Sequence, residues 1–577
     1  MKKSILSICL LAFLYAASAQ DTNAVLFTVG KESVTVTEFI NTFNKNNTLS
    51  KATESELRDY LDLFINFKLK VMDGIDTQID TALVFQRELA SYRSQSAQSY
   101  LVDREVTEQL IKEAIERSKQ MIRASHILIM VATDASPKDT LVAYNKALDI
   151  RKKILSGAIT FPEAAVQSSE DPSARNEVRS GKIQYGNKGD LGYFSAFELI
   201  YPFETVAYNT PVGNISMPVR TQFGYHLVWV QDRQPVVSKI DISQILLLDT
   251  AACFERISPK VKETLALIEG ALQAGEDFAA LAGQYTEDPM SREKGGRLEP
   301  FTPNRRPGDY VKQALSLKEN EISASFPSVI GWHIIKLNEL VVSEMKDEEM
   351  RYTTITKIQK DSRSTKSVES LIEKLKKEYH FADKGKSAAF NFLLKKLNTE
   401  TTMPPATDLL AMAGINKLKH MAAFANQTIT IQDFIHYLDR FQGKELNNQA
   451  ETFLNTQYEV FIKDVLLTYE YDNLENKYPE YKELIREYHH GMILFEMNNE
   501  RVWSESLRDS VKLEAFYEKI KLNYLDQEGN PKPLLEIRSA VLTEYQDELE
   551  REWLNELRRR YPVWINEELF KSILKNK

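Results

Sequence analysis

The sequence reads ASHIL at residues 124–128, SEDPSA at 169–174, GDLGYF at 189–194 and FGYH at 223–226. A second set follows in the same order, with SQIL at 243–246, TEDP at 286–289, GRLEPF at 296–301 and IGWH at 330–333. Phe194 and His226 are 32 residues apart, and so are Phe301 and His333. Such constant spacing indicates a duplicated fold.

Each repeat has the pattern of a small α/β unit. In the first, an apolar β-branched strand is predicted at about 125–131, followed by a helix at about 140–157 that ends at a glycine. A second helix is predicted from Phe161, with proline in its first turn, and a final strand at 225–230. The predicted fold class is therefore α+β, with two tandem α/β domains at 120–235 and 236–342.

The ordered blocks ASHIL, SEDPSA, GDLGYF, PFE and FGYH resemble those of parvulin-type peptidyl-prolyl cis-trans isomerases. Each block alone is weak evidence, but five in the same order make the resemblance specific. Two such domains between helical regions resemble the SurA-type periplasmic folding factors. The resemblance implies a peptidyl-prolyl isomerase that also acts as a folding chaperone and needs neither a metal nor another cofactor.

The resemblance also implies the roles of individual residues in the first repeat. His126 and His226 match a pair of neighbouring histidines, Asp171 matches an acid beside the isomerising amide, and Thr221 matches a hydroxyl that supports the histidines. The apolar wall for the proline ring is matched by Phe194, Leu199 and Phe203. Taken singly, either histidine would more often be structural than catalytic, and the histidine pair could mainly hold the fold. Asp171 before a proline would by itself indicate a turn, and Phe194 and Phe203 would by themselves be core residues.

The second repeat keeps Asp288, Phe301, Ser328 and His333 at the matching positions. It has Gln244 in place of the first histidine, Arg306 in place of Leu199 and Tyr310 in place of Phe203. A guanidinium where an apolar wall is expected should weaken proline binding. The second repeat is therefore predicted to be inactive or feeble and to serve as a spacer or a peptide-binding surface.

The opening of the chain has the pattern of an export signal. A basic start, a short apolar stretch and an Ala-x-Ala-like site at residues 17–19 predict a signal peptide over 1–19, and hence a periplasmic location in a Gram-negative host. Cleavage would leave Cys253 as a single cysteine, so no internal disulfide is expected. The net charge of −9 argues against nucleic acid as a partner, and no stretch predicts stable membrane insertion.

Mainly helical regions are predicted on both sides of the repeats, at 20–119 and 343–577. The first should open with a hairpin at 25–34 and a capping box in which Thr35 and Glu38 bind each other's backbone. A similar hairpin and cap are predicted from about 420, before Phe434. Residues 345–400 are rich in Lys and Glu and predict a solvated helical connector, and 563–565 predict a short extended segment.

Three functions follow as hypotheses. The first is an isomerase and chaperone for unfolded polypeptides that contain X–Pro bonds, such as envelope or outer-membrane proteins. The second is a non-catalytic holdase whose repeats only bind peptides. The third is a structural subunit of a larger envelope complex, which would have a stable stoichiometric partner.

Overall fold

The computed structural model describes residues 24–45, 47–133, 135–179, 182–249, 256–343, 346–418, 420–446 and 449–575. The predicted signal peptide and Cys253 lie outside the described residues. The described residues form two compact units. The terminal unit comprises residues 24–98 and 472–575, and the central unit comprises residues between 99 and 471.

The terminal unit is built from both ends of the chain. Its N-terminal elements are β1 (Val25–Val29), β2 (Glu32–Thr35), α1 (Val36–Asn44), α2 (Glu54–Asp76) and α3 (Leu83–Ala97).

The central unit begins with α4 (Arg104–Ser118). The first repeat follows with β3 (Gln120–Met130), α5 (Pro137–Leu155), α6 (Phe161–Ser168), β4 (Glu177–Arg179), β5 (Lys182–Gln184), β6 (Asp190–Phe194), α7 (Tyr201–Asn209), β7 (Val219–Thr221) and β8 (Gly224–Pro235). The second repeat has β9 (Val237–Leu248), α8 (Pro259–Gln273), α9 (Phe278–Tyr285), α10 (Pro289–Arg292), α11 (Gly308–Leu315), β10 (Phe326–Pro327) and β11 (Gly331–Val342).

The central unit ends with a helical region that carries a small hairpin. Its elements are α12 (Asp347–Lys360), α13 (Ser364–Glu378), α14 (Lys386–Leu397), α15 (Ala406–Leu410), β12 (Ala422–Phe424), β13 (Gln427–Ile429), α16 (Ile431–Leu438) and α17 (Ala450–Lys477), the last of which runs on into the terminal unit. The terminal unit then adds α18 (Pro479–Asn498), α19 (Ser504–Arg508), α20 (Ser510–Ile520), α21 (Leu534–Arg560), β14 (Val563–Ile565) and α22 (Glu567–Lys575).

The predicted hairpin at the start of the chain is present, and the predicted extended segment near the C-terminus joins it. The sheet order is β14-β1-β2, with Phe27 opposite Ile565. The predicted cap is only half formed: Thr35 accepts a hydrogen bond from the Glu38 backbone, but the Glu38 carboxylate binds Lys68 at 3.0 Å instead of reaching back. The ammonium of buried Lys68 needs carboxylate partners, which explains this difference.

The later copy of this opening is also present in the structure. The turn between β12 and β13 places Ala425 in the left-handed region, where the first hairpin has Gly30. Here the capping box is complete, because Thr430 and Asp433 each bind the other's backbone N–H. Both hairpins thus lead into a helix whose start is capped by a threonine.

The first repeat forms a four-stranded sheet of order β6-β3-β8-β7, with β3 and β8 as long antiparallel central strands. Gly157 adopts φ +74° just after α5, as expected for a residue that ends a helix. The second repeat pairs β10, β11 and β9, and single bridges from Arg297 and Phe301 to β9 replace the strand β6. The architecture is thus α+β, as the sequence predicts.

The two repeats pack directly on each other. Met121 and Tyr193 of the first repeat share a buried apolar cluster with Ile240 and Tyr310 of the second. The buried guanidinium of Arg123 donates to Asp190 of the first repeat and to Asp309 of the second, each at 2.7 Å.

The described residues from 346 to 400 are mainly helical, as predicted, but they are not a solvated connector. Met350 and Ile358 of α12 are buried against Ile111 and Ile115 of α4. The Lys and Glu residues cover one side of these helices, whereas the apolar residues on the other side form a core.

Candidate active site

A continuous chain of four polar side chains crosses the first repeat from Thr221, the last residue of β7, to Asp171. Thr221 Oγ lies 2.8 Å from His226 Nε2, His226 Nδ1 lies 3.2 Å from His126 Nδ1, and His126 Nε2 lies 2.9 Å from Asp171 Oδ2. Both imidazoles and Thr221 are buried. The structure thus brings together all four residues that the sequence predicts as catalytic.

The directions of these hydrogen bonds follow from the chemistry of the end groups. An ionised carboxylate can only accept, so His126 Nε2 donates to Asp171 and His126 Nδ1 is left as an acceptor. His226 Nδ1 then donates to His126, and His226 Nε2 accepts from the Thr221 hydroxyl. The Thr221 oxygen also accepts from the Phe223 backbone N–H at 3.1 Å. The network is therefore fully satisfied when both imidazoles are neutral.

The charge state of the network is set by burial and by these hydrogen bonds. Burial, together with the neighbouring His126, lowers the pKa of His226 to about 4. The hydrogen bond from His126, with help from the Ser173 backbone, holds the pKa of Asp171 well below its ordinary value. At neutral pH the site therefore contains a neutral His226 beside an ionised Asp171.

Asp171 is positioned by local structure at the mouth of the site. It caps the short 3₁₀ helix Pro172–Ala174, because its Oδ1 accepts from the Ser173 backbone N–H at 2.9 Å. A quarter of its side chain remains exposed, which is more than for either histidine. Asp171 is therefore the polar group of the network that an arriving peptide can reach.

The predicted apolar wall lies next to this network. Phe203 at the start of α7 is buried. Its ring centroid is 5.8 Å from that of His126 and 5.4 Å from that of His226, and the phenyl ring is nearly perpendicular to both imidazoles. Phe194 packs 6.3 Å from Phe203, and half-buried Leu199 joins the same cluster. An apolar wall beside a single reachable carboxylate is suited to an uncharged ring next to a polar amide.

Sequence reasoning missed two side chains in this neighbourhood. Leu191 is half-buried and packs on the same cluster as Phe203 and Leu199. Phe223 is 49% exposed and follows Thr221 by two residues. Leu191 belongs to the block GDLGYF and Phe223 to the block FGYH, so both could have been predicted as site residues from their place in these blocks.

The second repeat keeps the same hydrogen-bond chain without the first histidine. Ser328 Oγ lies 2.8 Å from His333 Nε2, His333 Nδ1 lies 3.3 Å from Gln244 Oε1, and Gln244 Nε2 donates to Asp288 at 2.9 Å. The amide oxygen of Gln244 replaces the accepting Nδ1 of His126, and the amide NH₂ replaces the donating Nε2–H. The direction of the chain is preserved, but its centre can no longer take up a proton.

The apolar wall of the second repeat has been rebuilt around polar groups. The Tyr310 hydroxyl, buried where the first repeat has Phe203, donates to Gln244 Oε1 at 2.9 Å. Exposed Arg306 holds its guanidinium 5.3 Å from the centre of the Phe301 ring. A peptide would therefore meet a cation at this position instead of Leu199.

Between Asp171 and Gly189 the first repeat has ten more residues than the second repeat has between Asp288 and Gly296, and this longer segment contains the two-stranded hairpin β4–β5. Among the residues that the structure describes, no group of three or more His, Cys, Asp or Glu side chains is placed to hold a metal ion.

Both repeats match a known protein family. Residues 126–232 and 246–339 match the family model described as "Rotamase: PPIC-type PPIASE domain". The chain therefore carries two PPIC-type rotamase domains, which are the two repeats.

Curated proteins similar to this chain carry the name chaperone SurA. The chain is 28% identical over 277 residues to the chaperone SurA of Saccharophagus degradans, covering 44% of this chain and 61% of the relative. It is 31% identical over 217 residues to the chaperone SurA of Shewanella denitrificans, covering 37% and 46%. The chain spans about half of the length of the curated relatives that it matches.

A solved structure, the parvuline of Nitrosopumilus maritimus, is 30% identical and covers 20% of this chain and 97% of its own, with a TM-score of 0.15.

Proposed function

We propose that the first repeat is an active peptidyl-prolyl cis-trans isomerase and that the whole chain is a folding factor for exported polypeptides. The observation that carries the catalytic part is the apolar wall of Phe203, Phe194 and Leu199 beside the Thr221–His226–His126–Asp171 network. The two rotamase domains support the class of reaction, while activity in this chain is our proposal.

The reaction requires little chemistry beyond binding. An X–Pro amide is planar because resonance places negative charge on its oxygen and positive charge on its nitrogen, and this resonance underlies a barrier of about 20 kcal/mol. The apolar wall would grip the proline ring. The ionised Asp171 carboxylate, close to the carbonyl oxygen, would disfavour the planar charge-separated form and thus favour the twisted amide.

Two pairs of matched variants test this proposal. Asp171→Asn and Leu199→Ala should each lower kcat/KM for a proline tetrapeptide by at least about tenfold. Asp288→Asn and Arg306→Ala make comparable changes at the matching positions of the second repeat and should leave turnover unchanged. Protease-coupled or NMR exchange measurements on the full-length chain report the rate directly.

The alternative is a holdase without isomerase activity. If Asp171→Asn and Leu199→Ala both leave turnover at the wild-type value, the catalytic proposal fails. Continued suppression of the aggregation of an unfolded β-barrel protein would then favour the holdase. A stable stoichiometric partner in pull-downs, with neither activity present, would instead favour a structural subunit.

Exposed apolar side chains in the terminal unit support the chaperone part. Leu83 and Val84 of α3 are 65% and 75% exposed, and Phe495 of α18 is 58% exposed. Such side chains can hold unfolded segments that bury apolar surface on binding. Replacing Val84 and Phe495 by Ser should weaken aggregation suppression and leave proline turnover unchanged, whereas unaltered suppression would count against a client surface there.

The clients would be unfolded envelope or outer-membrane proteins that contain X–Pro bonds, and the chain would act in the periplasm after removal of residues 1–19. Within the described residues, the structure contains no helix that is both long and apolar enough to cross a membrane. Mass spectrometry of the N-terminus of protein from the periplasmic fraction tests both location and cleavage.

A further inference from the structure

A fully buried carboxylate lies directly beside the apolar wall of the first repeat. Glu204 follows Phe203 in the first turn of α7, and its exposed fraction is zero. Its Oε1 accepts from Arg117 Nη1 at 3.0 Å, and its Oε2 accepts from Arg363 Nη2 at 2.8 Å and from the Phe197 backbone N–H at 2.8 Å. A buried charge of this kind is tolerable only with such partners.

Both arginines come from outside the rotamase domain that they contact. Arg117 belongs to α4, which precedes β3, and Arg363 lies between α12 and α13, after the second repeat. The Arg363 side chain is itself only 1% exposed, and its Nε donates to Asp361 at 2.9 Å. The helical parts of the central unit thus supply the two positive charges that bind the buried Glu204 carboxylate.

We call Glu204 with Arg117 and Arg363 the charged clamp. The charged clamp contacts the segment 195–200, which carries Leu199 of the apolar wall. Phe197 adopts φ +70°, a conformation that is uncommon for a bulky side chain. Its N–H is bound by Glu204, and its ring lies 3.9 Å from the Arg363 guanidinium carbon. Leu199 lies between Phe197 and Glu204 in the sequence. Phe197 is held by the Glu204 carboxylate and the Arg363 guanidinium, and Glu204 is itself held by Arg363, so the chain is fixed on both sides of Leu199.

The second repeat provides an internal comparison. From Gly189 onward the first repeat is offset from the second by 107 residues, so the position of Glu204 corresponds to Val311, which is fully buried in an apolar cluster. The positions of Leu199 and Phe203 correspond to Arg306 and Tyr310. The first repeat therefore has both the apolar wall and the buried Glu204. The second repeat has lost the apolar wall and has Val311 at the position of Glu204.

We propose that Arg117 and Arg363 are positioning residues for the proline pocket. They act through Glu204 to hold the segment 195–200 in place, so that Leu199 within this segment stays packed against Phe203. This inference rests on the proposed isomerase activity of the first repeat. It makes the helices before and after the two repeats part of the support of the pocket, even though they contribute no side chain to it.

The test uses the full-length chain with Arg363→Lys and, separately, Arg117→Lys. Each variant keeps the charge but loses the planar guanidinium that binds Glu204. We expect the KM for a proline tetrapeptide to rise about tenfold while kcat changes less than about threefold, because a displaced wall weakens ring binding. The matched control is Arg351→Ala, which removes an exposed ion pair between α12 and Glu108 of α4 and should change neither constant.

A second measurement does not depend on turnover. In methyl-labelled protein, the NMR signals of the Leu199 methyl groups should move in Arg363→Lys and stay in place in Arg351→Ala. An unchanged KM together with unmoved Leu199 signals overturns the inference, as does a loss of kcat that only follows the folded fraction seen by circular dichroism. If the wild type shows no turnover, the proposed function fails, and the methyl signals alone decide whether the clamp positions the wall. If Arg363→Lys does not fold, the same two measurements on Arg117→Lys decide.

Discussion

Replacing His126 by Gln should preserve the folded structure of the first repeat, whereas replacing it by Leu should not. Gln can donate to Asp171 through its NH₂ and accept from the Nδ1–H of His226 through its oxygen, as Gln244 does between Asp288 and His333 in the second repeat. Leu fills similar space but offers neither a donor nor an acceptor. The pair of variants therefore separates the volume of the imidazole from its hydrogen bonds.

The structure sets the magnitude of the difference. His126→Leu removes a charge-assisted bond of 2.9 Å to Asp171, worth about 1.5–3 kcal/mol, and leaves the buried Nδ1–H of His226 unpaired, which costs about 1–3 kcal/mol. Because a quarter of the Asp171 side chain is exposed, water replaces part of the lost bond. We expect His126→Leu to cost about 2–4 kcal/mol and His126→Gln less than about 1 kcal/mol.

Native-state hydrogen exchange read by mass spectrometry measures this cost locally. Peptides from β3 and β8 report the opening free energy of the first repeat, which a global melting curve of a multi-unit chain would blur. Gln244→Leu serves as the matched change in the second repeat and should loosen β9 and β11 by a similar amount. If His126→Gln loosens β3 and β8 as much as His126→Leu does, the assignment of donors and acceptors is refuted.

Further predictions concern pH, the second repeat and the terminal unit. Burial lowers the pKa of His226 to about 4, so the folded state favours the neutral imidazole. The free energy of unfolding of the first repeat should therefore be highest above pH 6.5 and about 2 kcal/mol lower at pH 5, because the unfolded chain takes up the proton first. This loss should appear as faster hydrogen exchange in β8 and should be absent in His226→Gln. Tyr310→Phe removes the buried donor to Gln244 and should destabilise the second repeat by about 1 kcal/mol in exchange of β9; no change would show that the hydroxyl is dispensable. Asp73→Asn should weaken the terminal unit by about 2–4 kcal/mol in hydrogen exchange of α2 and α21, because buried Asp73 accepts from the Trp553 indole N–H at 2.9 Å and from two arginines; unchanged exchange would contradict this.

The chemistry of the candidate site was largely predictable from the sequence. His126, Asp171, Thr221 and His226 lie in blocks with constant spacing, and the structure joins them into one network. The replacements at Gln244, Arg306 and Tyr310 were equally visible, because a repeat makes each departure stand out. What the sequence did not predict is that Gln244 reproduces the hydrogen-bond pattern of a histidine and that the Tyr310 hydroxyl completes it.

Expectations based on composition were less reliable. The Lys- and Glu-rich stretch 345–400 was predicted to be solvated, yet Arg363 is among its buried side chains. Composition averages over all faces of a helix, so it does not report which face meets a neighbour. In the same way, the Thr35–Glu38 motif predicted a complete capping box, but Lys68 on α2 competes for the Glu38 carboxylate.

The sequence by itself determined the duplication, the α+β class of the repeats, the composition of the first site and the loss of the apolar wall in the second. Local periodicity and constant spacing carry this information, because they reflect contacts that recur along the chain. Only the tertiary structure decided that β14 completes the first hairpin and that Glu204 is held by Arg117 and Arg363, which lie 87 and 159 residues away in the sequence. A single long-range pairing of charges leaves no periodic trace, so it becomes visible only when folding buries the partners together.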